Sequence, residues 1–97
     1  LQAIPKGYQI LVLDERGQDL SSSEFASHIG EMQNQGHSGL CCIIGGADGL
    51  HSMVRDKADL VLSFGKVTWP HMLMRVLLLE QLYRAQQILR GHPYHRE

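Results

Sequence analysis

The hydrophobic positions along the chain form short continuous runs separated by amphipathic stretches. Three runs, YQILVLD (residues 8–14), GLCCII (39–44) and DLVLSFG (59–65), are aliphatic and β-branched, which predicts buried strands. The first strand is expected to end at the turn-like ERGQD (15–19). Because strands that are apolar throughout are typical of a parallel sheet covered on both faces, the pattern favours an α/β fold.

A helix is predicted between the first two strands. Within residues 21–36, Ser21 and Glu24 have capping-box spacing, at which each side chain satisfies the other residue's backbone N–H group. Apolar residues then recur at helical intervals, and Gly36 supplies a C-terminal stop. A weaker helical stretch is expected over residues 51–58, so that strands and helices alternate.

The longest helical pattern covers residues 71–90. Pro70 lies near its first turn and Gly91 just past its end, as is typical of helix boundaries. Between Met72 and Leu82 the pattern is apolar over most of the helix circumference, so one side is expected to pack on the sheet and another on a second surface. A dimer contact is the favoured second surface; the alternative is a small sheet that buries more of one helix.

The composition is that of one ordinary globular domain. The 97 residues are 43% hydrophobic and 20% charged, which allows a single core and leaves no room for a second domain. The formal net charge of -1 gives no global attraction for nucleic acid, so RNA binding would need a local patch. The segment 71–97 offers one, because its arginines and histidines outnumber its acidic residues.

The sequence favours a cytoplasmic protein. Its longest apolar stretch is interrupted by Arg75 and Glu80 and is shorter than the roughly 20 residues of a membrane span. The first residues have no leader pattern, and the chain does not begin with methionine, so a processed or partial product is expected. Cys41 and Cys42 are adjacent, which favours two small buried hydrophobes in a reducing compartment over a disulfide.

Candidate ligand-binding residues follow each predicted strand. Parallel α/β proteins bind ligands beyond the carboxyl ends of their strands. The glycine turn 45–49 matches neither the dinucleotide fingerprint nor a phosphate loop, so ligand contact and a plain tight turn both stay open. After the third strand, Trp69 suits stacking on a planar ring or anchoring the core, and His71 suits acid–base chemistry or plain helix entry.

No catalytic or metal-binding set stands out by its spacing. The sequence contains no nucleophile elbow, no HExxH and no paired acidic motif. His92 and His95 lack evident third and fourth ligands for zinc, so no metal site is expected.

Three segments together resemble one known family. IIGGADGL (43–50), TWPHMLMRVLLLEQLYRA (68–85) and the terminal HPYHRE (92–97) are similar to the ribosomal RNA large subunit methyltransferase H family, a SPOUT class of enzyme. The resemblance runs from about Tyr8 to the end of the chain, and the C-terminal run is its most specific part.

The resemblance implies a fold and an activity. The fold would be a parallel-sheet α/β knot with a C-terminal trefoil knot, and the protein would be a homodimer that acts on the assembled ribosome. It would methylate N3 of a pseudouridine in large-subunit rRNA with S-adenosyl-L-methionine. Family members normally begin with a further strand, helix and strand that this chain does not match, so residues 1–97 are expected to form a single SPOUT domain truncated at its N-terminus.

The resemblance also implies cofactor contacts at the three strand exits. Largely through backbone groups, the cofactor would be bound by Leu13, Gly45, Gly46, Gly49, Gly65, Lys66, Val67, Thr68, Trp69 and Pro70. Lys66 and Trp69 depart from the small or aliphatic residues expected in this loop, which backbone recognition would tolerate.

By the same resemblance, the tail would face the target base and complete the active site of a neighbouring subunit. Its candidate catalytic residues are His92, Tyr94, His95 and Arg96. His95 is the candidate base because imidazole exchanges protons near neutrality. Arg96 would bind phosphate or negative charge on the base oxygens, and Tyr94 would stack on the base or orient it.

Two other functions compete with the enzyme. One is a catalytically silent SPOUT-like module for binding or assembly, and the other is a nucleotide-binding regulator that uses the glycine turn without transfer chemistry.

Overall fold

A computed structural model of the chain describes residues 6–45, 56–67 and 69–95. The described elements, in chain order, are β1 (Tyr8–Asp19), α1 (Ser22–Asn34), β2 (Gly39–Ile44), β3 (Leu60–Ser63) and α2 (His71–Leu89). Most of the weaker helix predicted over residues 51–58 lies outside the described residues.

The described residues fall into two compact units. The sheet unit contains the three strands and the loop through Trp69. The helical unit contains α1, α2 and the C-terminal tail.

The sheet unit is built around β1. The strand order is β2-β1-β3, and β1 pairs in parallel with both neighbours, which confirms the predicted α/β architecture with a parallel sheet. Leu11, Val12 and Leu13 are at most 1% exposed, and Leu60 and Leu62 of β3 are also buried. Each such aliphatic side chain stabilises the fold by about 1.5–3 kcal/mol relative to an exposed one, so the continuous apolar runs form the core of this unit.

Asp59 fixes the register between β1 and β3. Its carboxylate Oδ2 accepts a hydrogen bond from the backbone N–H of Ile10 at 2.7 Å, and its own N–H donates to the carbonyl of Ile10 at 2.8 Å. These bonds satisfy the backbone of β1 just before β3 begins at Leu60.

The predicted end of β1 at ERGQD is wrong, because the strand continues to Asp19. Leu13 pairs with Leu62, and after a register shift Gln18 pairs with the same residue. Between them, Asp14 Oδ1 accepts the backbone N–H of Arg16 at 2.9 Å, the geometry of an Asx-turn. The turn chemistry is therefore present, but the chain then rejoins the ladder.

The prediction that both cysteines are buried is also wrong. Cys41 is partly exposed, Cys42 is exposed, and both are free thiols. They lie in β2, which is an outer strand of the three that the structure describes. An outer strand is shielded less than a central one, whatever the hydrophobicity of its sequence.

Helix α1 forms as its sequence predicts. Ser21 is the N-cap, its Oγ accepts from the N–H of Glu24 at 3.1 Å, and its N–H donates to Glu24 Oε1 at 2.8 Å. Gly36 follows the helix with a φ of 75°. The buried face consists of Phe25, Ala26, Ile29 and Met32.

Helix α2 contacts α1 and leaves much of its apolar surface exposed. Ser22 Oγ donates to Gln81 Oε1 at 2.7 Å across the two helices. Leu78 and Ala85 are buried. The exposed large apolar side chains of α2 are Met72, Leu73, Val76, Leu79, Tyr83 and Leu89. In the ranges that the structure describes, no helix is both long and apolar enough to cross a membrane.

Gly17 lies in the part of β1 where the register shifts, between the two residues that pair with Leu62, and we expect this position to require glycine. A Cβ added there would lie 2.6 Å from the carbonyl oxygen of Val61, a backbone atom that cannot swing away. We expect Gly17→Ala to lower the free energy of unfolding by about 1–3 kcal/mol. Urea denaturation at fixed protein concentration measures this change, with Glu15→Ala in the same exposed stretch as the control. Equal stabilities of the two variants would contradict the prediction.

Candidate active site

The ends of the parallel strands β2 and β3 lie at one edge of the sheet, beside Leu13, which is the last residue of β1 that pairs with β2. Leu13 of β1 pairs with Ile44 of β2, and its carbonyl accepts the N–H of Gly45 at 2.8 Å. Leu13 also pairs with Leu62, close to the end of β3. The structure thus places the predicted residues Leu13 and Gly45 together, with the end of β3 beside them.

The loop after β3 is held by its own side chains. Ser63 Oγ accepts the N–H of Gly65 at 3.0 Å and donates to the carbonyl of the same residue at 3.2 Å. The indole N–H of Trp69 donates to the carbonyl of Phe64 at 3.4 Å. The Trp69 ring therefore serves to close the loop, while Lys66 and Val67 are exposed at its tip.

Gly65 leaves the main chain of this loop accessible. Its φ is 98°, a conformation that residues with a side chain rarely adopt, and a Cβ built there meets nothing within 4 Å. A ligand can therefore approach the main chain closely at this point.

Asp14 is a polar residue at this edge that the sequence reasoning missed. It follows Leu13 directly and is 5% exposed. Its Oδ1 accepts the N–H of Arg16 at 2.9 Å and the Arg16 Nε–H at 3.3 Å. The aspartate in the turn sequence was the available signal, because Asp commonly accepts from the backbone N–H two residues on.

The remaining predicted site residues are not in the described part of the sheet unit. Pro70 belongs to the helical unit, as the N-cap of α2 without a side-chain capping bond, and His71 is the exposed first residue of that helix. The predicted residues outside the described ranges are Gly46, Gly49, Thr68 and Arg96. Among the residues that the structure does describe, no group of three His, Cys, Asp or Glu side chains could hold a metal ion.

The C-terminal tail turns back because α2 ends in a Schellman motif. Gly91 has a φ of 71°, its N–H donates to the carbonyl of Ile88 at 3.0 Å, and the N–H of His92 donates to the carbonyl of Gln87 at 2.9 Å. The backbone of His92 is therefore fixed, while its side chain is exposed.

The last residues of the tail contact α2 in a polar and aromatic cluster, the tail cluster, which consists of Glu80, Tyr83, Arg84, Tyr94 and His95. Arg84 donates to Glu80 Oε1 from Nη2 at 2.7 Å and from Nε at 3.0 Å. Arg84 Nη1 lies 3.0 Å from His95 Nδ1. The structure therefore brings His95 to an ion pair of α2.

Tyr94 joins the same cluster in three ways. Its hydroxyl donates to Glu80 Oε1 at 3.2 Å, and its ring lies under the guanidinium of Arg84, 4.7 Å from Cζ to centroid. Its ring also meets that of Tyr83 edge to face, with centroids 5.0 Å apart. Such cation–π and edge-to-face contacts are favourable, so Tyr94 is oriented by α2.

The charges of the cluster support one another. The hydrogen bond from Arg84 lowers the pKa of Glu80, with smaller contributions from Tyr94 and from the nearby positive charges. The hydrogen bond to Glu80 raises the pKa of Arg84. Both groups are therefore ionised at neutral pH.

Sequence reasoning missed the Glu80–Arg84 pair as part of the site. It treated both residues as members of a general charge balance. The available signal was their spacing: an acidic residue four positions before a basic one lies on the same helix face. What the spacing could not reveal is that the tail folds back onto that face.

Comparisons with known proteins give a family and close relatives. A family model described as "Predicted SPOUT methyltransferase" matches residues 1–95. Proteins named "Ribosomal RNA large subunit methyltransferase H" from Rhodospirillum centenum and Paracoccus denitrificans are each 56% identical over 96 residues. The protein of that name from Allorhizobium ampelinum is 52% identical over 95 residues.

These three alignments cover 98–99% of this chain and 63%, 61% and 59% of the respective relatives. The chain therefore spans about three fifths of the length of the curated relatives it matches.

The ion pair of the tail cluster predicts a pH-dependent stability. Because the pKa of Glu80 is lowered from its ordinary value of 4.5, its ionised form stabilises the folded state above that pH, and this stabilisation is lost as the pH falls through the lowered pKa. We expect Glu80→Gln to be less stable than the wild type at pH 7 and the difference to shrink below about pH 4.5.

Urea denaturation from pH 7 to pH 3 measures this difference. Glu31→Gln, at an exposed carboxylate of α1, controls for the loss of one negative charge. A profile for Glu80→Gln that matches this control would contradict the prediction.

Proposed function

Because the chain belongs to the SPOUT methyltransferase family, we propose that it methylates large-subunit ribosomal RNA, at N3 of a pseudouridine, with S-adenosyl-L-methionine as the methyl donor. The observation that carries the proposal is an identity of 56% along almost the whole chain to proteins whose names state this class of activity. The proposal concerns the full-length protein, since the chain spans about three fifths of those relatives.

The strand exits suit the cofactor. When bound, adenosylmethionine supplies a methyl group on a positively charged sulfur, so the methyl needs no further activation. At Gly65 no side chain covers the backbone, and the hydrogen bond between Gly45 and Leu13 ties the end of β2 to β1. We assign the adenosine-binding role to this edge, with Gly46, Gly49, Thr68 and Pro70 as further candidate contacts by resemblance.

The remaining task of the protein is to hold the target base in line with the methyl group and to allow loss of the N3 proton. We assign this task to the tail, with His92, Tyr94 and His95 on the side of the target base. Arg96 would bind a phosphate or the negative charge that develops on the base oxygens. We further propose that the tail of one subunit completes the active site of its neighbour, and that the fold contains the C-terminal trefoil knot of the family.

An apolar stripe on α2 supports a homodimer. Met72, Val76, Leu79 and Tyr83 follow at intervals of four, three and four residues, which places them on one helix face. They are 70%, 59%, 66% and 50% exposed in the single chain. Soluble monomers rarely expose a contiguous apolar patch of this kind, and a second copy of the chain would cover it.

We also propose that the protein is located in the cytoplasm, where ribosomes are assembled.

The cofactor assignment predicts a specific effect at Gly65. Alanine at this φ is strained, and its methyl group would occupy the open space beside the backbone. We expect Gly65→Ala to weaken binding of S-adenosylmethionine at least tenfold by calorimetric titration, while ATP and NAD do not bind the wild type. Gly36→Ala is the matched control, because Gly36 also has a positive φ and open space at Cβ but lies after α1.

Two results would contradict the cofactor proposal. Equal loss of affinity in both glycine variants would show that backbone strain, and not the strand-exit loop, is responsible. Absence of binding by a folded wild-type dimer would leave a silent SPOUT-like binding module as the better account.

The dimer proposal predicts that a charged residue in place of Leu79 weakens the association of the two subunits. A glutamate at this position would place a charge in the proposed apolar interface of both subunits, so we expect Leu79→Glu to raise the dimer dissociation constant at least tenfold. Sedimentation equilibrium measures this constant. Gln33→Glu adds the same charge at an exposed position of α1 and should leave the mass unchanged. A wild-type monomer, or an intact Leu79→Glu dimer, would refute the proposed interface.

A further inference from the structure

The irregular part of β1 carries an arginine beside the edge of the sheet to which the cofactor site is assigned. Leu13 and Gln18 both pair with Leu62, so residues 14–17 form a bulge between two pairings with the same residue of β3. Bulges that lie next to binding sites commonly re-aim a side chain. The bulge of β1 contains Arg16, three residues after Leu13.

Asp14 anchors this arginine. The side chain of Asp14 is 2% exposed, and its Oδ1 accepts hydrogen bonds from the backbone N–H of Arg16 at 2.9 Å and from Arg16 Nε at 3.3 Å. A buried carboxylate is costly unless hydrogen bonds and opposite charge compensate it. The contact with Asp14 therefore holds the Arg16 side chain in place.

The outer part of the guanidinium is available to a ligand. The Arg16 side chain is 51% exposed. Asp14 binds it at Nε, and in the part of the chain that the structure describes the terminal nitrogens Nη1 and Nη2 have no acceptor. These two nitrogens form a planar fork that matches the oxygens of a carboxylate or a phosphate. An anionic group with two oxygens is therefore the ligand that Arg16 fits.

The charges around Arg16 favour a small cationic molecule over RNA. Asp14 and the exposed Glu15 and Asp19 supply three carboxylates against this one guanidinium. An excess of negative charge repels a polyanion. Adenosylmethionine has a positive sulfonium and a positive ammonium group against one carboxylate, so the molecule as a whole is a cation. Its carboxylate suits Arg16, and its positive charges suit the acidic neighbours.

We propose that Arg16, anchored by Asp14, is a specificity-determining residue of the cofactor site that binds the carboxylate of the amino-acid part of S-adenosylmethionine through Nη1 and Nη2. This inference rests on the function proposed above, because it deepens the cofactor assignment. The sulfur of the cofactor joins the adenosine to the amino-acid part. Holding both of these parts restricts the position of the methyl group that the sulfur carries.

Calorimetric titration of the full-length protein tests the proposal with two ligands. These are S-adenosylmethionine and its decarboxylated form, which keeps the sulfonium and ammonium groups. We expect the wild type to bind the decarboxylated form about tenfold or more weakly, because a charge-assisted pair of hydrogen bonds is lost. This comparison needs no variant, and equal affinities for the two ligands would overturn the proposal.

Arg16→Met removes the fork and keeps the approximate length of the side chain. We expect this variant to bind S-adenosylmethionine about tenfold or more weakly and the decarboxylated form with less than about a twofold change. Arg16→Lys keeps the charge without the bidentate geometry, so its affinity for S-adenosylmethionine should be intermediate. Lys57→Met is the control and should match the wild type, because Lys57 is an exposed cation of the same unit that precedes β3.

Two results with the variant would overturn the role of Arg16. Equal weakening of both ligands in Arg16→Met would show that the residue maintains the shape of the bulge and does not bind the carboxylate. Weaker cosedimentation with ribosomes, at an unchanged affinity for S-adenosylmethionine, would assign Arg16 to an RNA phosphate.

Failure of this inference is distinguishable from failure of the proposed function. Binding of S-adenosylmethionine that does not depend on its carboxylate would overturn the role of Arg16 alone. Absence of S-adenosylmethionine binding by the folded wild type would contradict the proposed function and, with it, this role.

Discussion

The sheet unit depends on the parallel pairing of β1 with both other strands. That pairing buries Leu11, Val12 and Leu13 between two neighbours and places the carboxyl ends of β2 and β3 at one edge, beside Leu13. In a parallel sheet this edge is where backbone groups and loops are left for a ligand. The proposed cofactor site is thus a consequence of strand direction, and the side chains of the loops mainly hold the backbone in shape.

The helical unit depends in the same way on how α2 ends. Gly91 allows the backbone to reverse, the Schellman bonds satisfy the last carbonyls, and the tail returns to the face that carries Glu80 and Arg84. A terminal segment that frayed would have no defined geometry for chemistry. Here an ion pair and two aromatic rings orient Tyr94 and His95.

Features that depend on residues close together in the sequence could be predicted, whereas contacts between distant parts of the chain could not. The capping box of α1 depends on residues three apart, so its pattern is visible in one dimension. The exposure of Cys42 depends on β2 being an outer strand among the three described, and the continuation of β1 beyond Asp14 depends on a second pairing with β3. The contacts of Arg84 with Tyr94 and His95 depend on the fold of the tail. The knot was inferred from resemblance alone, since no hydrophobic periodicity encodes threading.

The most direct test of the central claim is transfer of an isotopically labelled methyl group from S-adenosylmethionine to ribosomes by the full-length protein, followed by mass spectrometry of the digested rRNA. The proposed function predicts label on a single pseudouridine of the large-subunit RNA, at N3. Binding of the cofactor by a folded dimer without label in any rRNA nucleotide would contradict it.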